Sequence, residues 1–130
     1  MKTKVNEKSI RKAKAFLKKV FDSFNIGYDI HENGGNAEKY GYVIEAEYWS
    51  DLGEDVIISL VVDELTIEEI VHTMYEYEEG FDAEDHASEL YNLHGQYGTP
   101  TSLRALLRDA DEQQEMLENI YNKMLEVRGE

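Results

Sequence analysis

The chain has 130 residues, 42% of them apolar, and its 28 Asp and Glu against 13 Lys and Arg leave a formal net charge of −15. That length fits a single domain over residues 1–130, and that apolar content excludes a wholly disordered chain. The absence of Cys excludes disulfides and thiolate metal sites and suits a cytosolic protein, while no apolar run reaches the roughly 20 residues of a membrane span.

The charge is unevenly placed. Residues 1–19 hold eight Lys and Arg and one Glu; the remainder holds five basic and 27 acidic side chains. The basic opening, MKTKVNEKSIRKAKAFLKKVF, lacks the continuous apolar stretch of a secretory signal. A helix is predicted there from about Ser9 to Phe24. Ile10, Ala13, Leu17, Val20, Phe21 and Phe24 recur at helical spacing, and Arg11, Lys12, Lys14, Lys18 and Lys19 fall mostly on a solvated face. Asn25 or Gly27 ends it.

GYDIHENGG (27–35) reads as a short strand and a loop holding His31, with turn chemistry at Gly34, Gly35 and Asn36. YGYVIEAEYW (40–49) reads as a strand with Tyr40, Tyr42, Ile44, Ala46 and Tyr48 on one face. VIISLVV (56–62) is apolar at both parities, which predicts a strand covered on both faces or central in the sheet. Together they predict a three-stranded antiparallel meander.

Three helices should follow. Thr66 and Glu69 form a capping box ahead of a helix to about Glu79, with Glu69, His72, Glu76 and Glu79 facing water. Gly80 is expected to stop it in the left-handed conformation. Asp82 should cap a helix over 83–94, ending at His94. Thr99 and Pro100 should open a last helix to about Val127, striped by Leu103, Leu106, Leu107, Ala110, Leu117, Ile120, Tyr121 and Met124. The fold class expected is α+β: an N-terminal helix, a three-stranded antiparallel meander, then three helices packed on the sheet.

YEYEEGFDAEDH (75–86) carries six carboxylates and no Lys or Arg. Asp82, Asp85, His86 and Glu89 share one helical stripe, and the last helix adds Asp109, Asp111, Glu112, Glu115, Glu118 and Glu126. Helix capping and solvation account for many of these acids. A metal site would also use carboxylates and His, but the spacings match neither HExxH nor an EF-hand loop. No nucleophile elbow or phosphate loop is present. A non-enzymatic protein is expected, with no cofactor and no metal.

The third reading is a surface that imitates nucleic acid. Carboxylates four apart on a helix advance about 6 Å, against about 3.4 Å between phosphates of one strand, so two neighbouring acidic helices approach the same anion density. Such a body repels DNA, RNA and anionic lipid and attracts a basic nucleic-acid-binding protein. Nine Tyr residues fit a small core and also an Arg-rich partner. Glu76, Glu79, Asp82, Asp85, Glu89, Asp111, Glu115 and Glu118 are the candidate partner-binding residues.

Two stretches carry a resemblance. YWSDLGEDVIISLVVD is similar to a strand, "SPaGeDf", strand segment, here with Asp51 and Leu52 in place of the Pro and the small residue. EGFDAEDHASELYNLHGQYGTPTSLRALLRDADEQQEMLENIYNKML resembles a "FDvdeh" helix start, a G-x-P break and a "lreLl.dae" helix. Over about residues 42–125 the chain thus resembles small acidic proteins of phages and conjugative elements of gut bacteria. That family offers no catalytic residues. The resemblance implies a mobile-element context and, by analogy, an inhibitor of a CRISPR or restriction nuclease. The alternative is an adaptor or accessory protein of such an element, binding through Tyr and Leu without catalysis.

Overall fold

The structure, a computed structural model, describes residues 7–49, 55–96 and 102–130. Helix α1 spans Glu7–Asp22, strand β1 Gly27–Glu32, a short helix α2 Ala37–Tyr40, β2 Tyr42–Trp49 and β3 Asp55–Val62. Helices α3 (Ile67–Glu79), α4 (Ala83–Gln96) and α5 (Leu103–Arg128) follow. The three strands form one antiparallel sheet in the order β1-β2-β3. This is the α+β architecture expected.

Strand alternation explains how the layers form. Side chains of successive residues leave a strand on opposite faces, so Ile44, Ala46, Ile58, Leu60 and Val62 point one way. All five are buried. The register sets Ile44 opposite Leu60 and Ile30 opposite Ile44, so apolar side chains meet across strands on that face. Onto it pack Leu17, Val20 and Phe21 of α1, Ile70, Val71 and Met74 of α3, and Leu117, Ile120 and Met124 of α5. A smaller cluster of Ala87, Leu106 and Ala110 joins α4 to the start of α5.

The opposite sheet face corrects the reading of β3. The central strand is β2; β3 lies at the edge, and Ile57 and Val61 on its outer face are 50% and 54% exposed. β-Branched residues suit an extended backbone whether or not a layer covers them, so an apolar run does not count its neighbours. Two further residues sit elsewhere than expected. His31 lies within β1, opposite Val43, and Tyr40 ends α2 rather than starting β2.

Helix ends follow local chemistry. Asn25, at φ 59°, ends the turn after α1, a role a short polar side chain tolerates. Gly80 does cap α3, but at φ −83° it stays right-handed, so its place does not depend on being glycine. Thr66 Oγ1 accepts from the Glu69 N–H at 3.2 Å, half of the capping box. The Glu69 carboxylate reaches past Thr66 to the N–H groups of Asp63 and Glu64, at 2.8 and 3.0 Å, and is half-buried in doing so. Thr99 and Pro100 lie outside the described residues; Ser102 caps α5, accepting from the Ala105 N–H at 3.1 Å.

Gly41 joins α2 to β2 under a tighter constraint. Its φ is +80°, and a Cβ there would lie 2.1 Å from the Val62 carbonyl oxygen and 2.9 Å from Asp63 Cα. Gly35 has a similar φ of +75° but open space around it. Gly35→Ala should therefore cost about 1 kcal/mol for its backbone conformation alone. Gly41→Ala should cost at least about 3 kcal/mol, because backbone must also move. Urea denaturation of the two variants checks this; equal losses would contradict the close approach.

Candidate interaction surface

Helices α3 and α4 together run antiparallel to α5. Glu68 of α3 meets Arg128 at 3.7 Å, the rings of Tyr75 and Tyr121 lie 5.5 Å apart, Glu78 lies within the field of Glu118, and Ala87 packs with Leu106 and Ala110. As numbers rise along α3 and α4, their partners' numbers fall along α5. The seam between them exposes acids with one aromatic pair, Tyr75 being 45% exposed.

All eight predicted partner-binding acids, Glu76, Glu79, Asp82, Asp85, Glu89, Asp111, Glu115 and Glu118, are exposed. The structure brings Glu79 and Glu118 together around Glu78. Burial first, then the charges of Glu79 and Glu118, raise the Glu78 pKa, so its carboxyl holds a proton more readily than an ordinary Glu. Glu78 is absent from the predicted set. Its spacing of four from the buried Met74 places it at the inner edge of the α3 stripe, which is the signal that finds it. Asp111, Glu115 and Glu118 follow one another along the exposed side of α5 at spacings of four and three.

Asp82, Asp85 and Glu89 extend the exposed charge along α4 and are not held to the α5 acids by any contact among the described residues. Asp82 caps α4, its Oδ1 accepting from the Asp85 N–H at 3.1 Å. Acids in the first turn also complement the helix dipole. Glu76 is occupied by His72 Nε2 at 2.8 Å, one turn back.

Two acidic-stripe expectations are overturned. Asp109 is no surface acid: it is 3% exposed and accepts from Gln113 Nε2 at 2.8 Å, because it falls on the inward side of α5. His86 does not stand beside Asp82, Asp85 and Glu89 in water. It is half-buried, its ring 5.4 Å from that of Phe81, and its Nε2 is buried with no hydrogen-bond partner among the described residues. Asp109 acts on Tyr48, whose hydroxyl is likewise buried and unpartnered among them. Burial, then the Asp109 charge, then Tyr77 push the Tyr48 pKa up to about 12.

Helix α5 carries four cations of its own, Arg104, Arg108, Lys123 and Arg128; Lys123 pairs with Glu126 at 3.3 Å and Arg128 with Glu68. Lys18 of α1 pairs with Asp22 at 2.9 Å and Lys19 with Glu130. Among the described residues no group of three His, Asp or Glu side chains is placed to hold a metal ion, and no helix is long and apolar enough to cross a membrane. Comparison of the chain with protein-family models, curated proteins and solved structures finds no match.

Two stability effects follow from these shifts. A raised carboxyl pKa means that charged Glu78 costs stability at neutral pH, a cost relieved as pH falls through its folded-state value. Glu78→Gln should then stabilise the protein near pH 7 by about 0.2–0.5 kcal/mol, the scale of like-charge pairs on helices. The gain should vanish below about pH 4, where the carboxyl is protonated folded or unfolded; urea titrations at both pH values decide. For Tyr48 the folded state keeps its proton longer than the unfolded chain, so stability is present up to about pH 10 and falls toward about pH 12. Tyr48→Phe should flatten that alkaline fall and leave the neutral-pH melting temperature unchanged or higher, since it deletes an unpartnered buried hydroxyl. A wild-type alkaline slope in the variant would contradict the assignment.

Proposed function

We propose that this protein is a non-catalytic inhibitor that occupies the nucleic-acid site of a basic defence nuclease, of CRISPR or restriction type, with the acidic surface of α3, α4 and α5. One observation carries the reading: Glu78 is half-buried at the helix seam beside the charges of Glu79 and Glu118, and burial first, then those two charges, raise its pKa. Like charges held close oppose folding, and a chain with 13 basic side chains has cations with which to neutralise them. The paired lysines of α1 are engaged elsewhere. A net acidic field steers a basic cleft toward it and strengthens as salt is lowered.

The adaptor reading is favoured by a different observation, the exposure of Trp49, Ile57 and Val61 on the open sheet face. It predicts a contact indifferent to salt. The decoy predicts steep dependence.

The deciding measurement is displacement of labelled DNA from a panel of purified restriction and CRISPR nucleases. The wild-type protein should displace DNA from at least one, with affinity falling steeply between about 50 and 200 mM salt, as for a chain of phosphate contacts. The variant Glu79→Lys, Asp85→Lys, Glu115→Lys, Glu118→Lys spares the cap residue Asp82. At about 0.7 kcal/mol per lost pair, it should compete at least about 100-fold more weakly while keeping its circular dichroism. Displacement unaltered by the four reversals, or no displacement from any nuclease, removes the decoy.

A further inference from the structure

The backbone bonds of the sheet fix which groups of β3 point outward. The Asn33 N–H donates to the Gly41 carbonyl at 2.9 Å, one step beyond the opposed pair Glu32 and Tyr42. In an antiparallel ladder, opposite residues alternate between bonded and unbonded pairs. Val43, Glu45 and Glu47 of β2 therefore bond to β1, while Tyr42, Ile44, Ala46 and Tyr48 bond to Val62, Leu60, Ile58 and Val56 of β3. The N–H and C=O groups of Ile57, Ser59 and Val61 are left facing away from β2, along the outer edge of the sheet.

That edge lacks the common safeguards against pairing. Residues 56–62, VIISLVV, contain no Pro and no charged side chain. Helix α3 covers the edge instead. The Tyr77 hydroxyl donates to the Ile57 carbonyl at 3.3 Å. Burial raises the pKa of that hydroxyl and a backbone hydrogen bond from Ser59 opposes the rise, so one side chain engages two neighbouring outward residues. Just past β3, the Glu69 carboxylate holds the N–H groups of Asp63 and Glu64.

The side chains of the edge select its partner. Laid antiparallel to itself about Ser59, β3 sets Ile57 opposite Val61, Val56 opposite Val62 and Ile58 opposite Leu60. Opposite residues share a face, so the exposed Ile57 and Val61 of two copies would cover one another. Like acids meet only at the ends, Asp55 against Asp63. Such a contact is isologous, the same strand on both copies about a twofold axis.

We propose that the outer edge of β3 is a pairing surface for β3 of a second copy of this chain, and that the Tyr77 side chain is the latch that keeps it shut. Opening the latch joins two three-stranded sheets into one continuous sheet. The inference rests on the sheet edge and is independent of the decoy reading.

Sedimentation velocity of the full chain and its variants tests this. The wild type should sediment as a monomer. Tyr77→Ala uncovers Ile57 and Ser59 and should self-associate at least about tenfold more tightly. Tyr77→Phe keeps the ring and loses the hydroxyl bonds, so it should fall between the two, and it decides the matter if Tyr77→Ala does not fold. Adding Ser59→Pro removes the N–H at the twofold axis and should return either variant to the monomer with unchanged circular dichroism. The association should strengthen from about 50 to about 500 mM salt, because screening relieves repulsion between two bodies of net charge −15. Contact between the basic α1 of one copy and the acidic helices of another would weaken instead and overturn the proposal. Dimers that survive Ser59→Pro, or a wild type already paired through β3, would overturn it too. So would monomeric Tyr77→Ala and Tyr77→Phe, which would leave the edge to a strand of a different protein.

Discussion

The burial of one sheet face beneath three helices is the contact on which the rest of the molecule depends. Ile44, Ala46, Ile58, Leu60 and Val62 lose nearly all their exposure to α1, α3 and α5. Burial at about 25 cal/mol per Å² of apolar surface makes this the main source of stability in a chain whose charge opposes compaction. It also decides what stays outside. With a side-chain period of two, committing one face to the core sends Asp29, Glu47, Trp49, Ile57 and Val61 to the other. The same commitment aligns α3 and α5 side by side, and so draws Glu78, Glu79 and Glu118 into one place.

Much of this was legible in the sequence because it rests on local periodicity. The stripe of α1, the alternation of Tyr42, Ile44, Ala46 and Tyr48, and the caps at Thr66 and Asp82 are rules about residues a few positions apart. What was not legible depends on neighbours distant in the chain. The exposed edge position of β3 depends on which strand stands in the middle. Asp109 looks like one more acid in an acidic helix until α5 is turned so that Asp109 and Gln113 face inward. His86 could have joined the carboxylates of its stripe; packing against Phe81 set it apart. Within the candidate site, the exposure of the eight acids was readable from helical phase. The part played by Glu78 was not, because its neighbour Glu118 lies 40 residues along the chain.

The two outer surfaces differ in kind. The seam of α3 and α5 is carboxylate with a tyrosine pair and has a field that reaches well beyond contact distance at low salt. The open sheet face is apolar at Ile57 and Val61, aromatic at Trp49, and acidic at one end. Its interactions act at van der Waals range. A partner that uses the first gains speed of approach; one that uses the second gains selectivity among side chains.

Gly41 has an evolutionary consequence. The Val62 carbonyl oxygen stands where any side chain would begin. Apolar core positions in general tolerate some exchange of one apolar residue for another. In a distant cousin that retained this sheet, drift could erase overall likeness and still leave one glycine standing just before the middle strand. Kinship in such a lineage would survive as a single unvarying gap between two backbones.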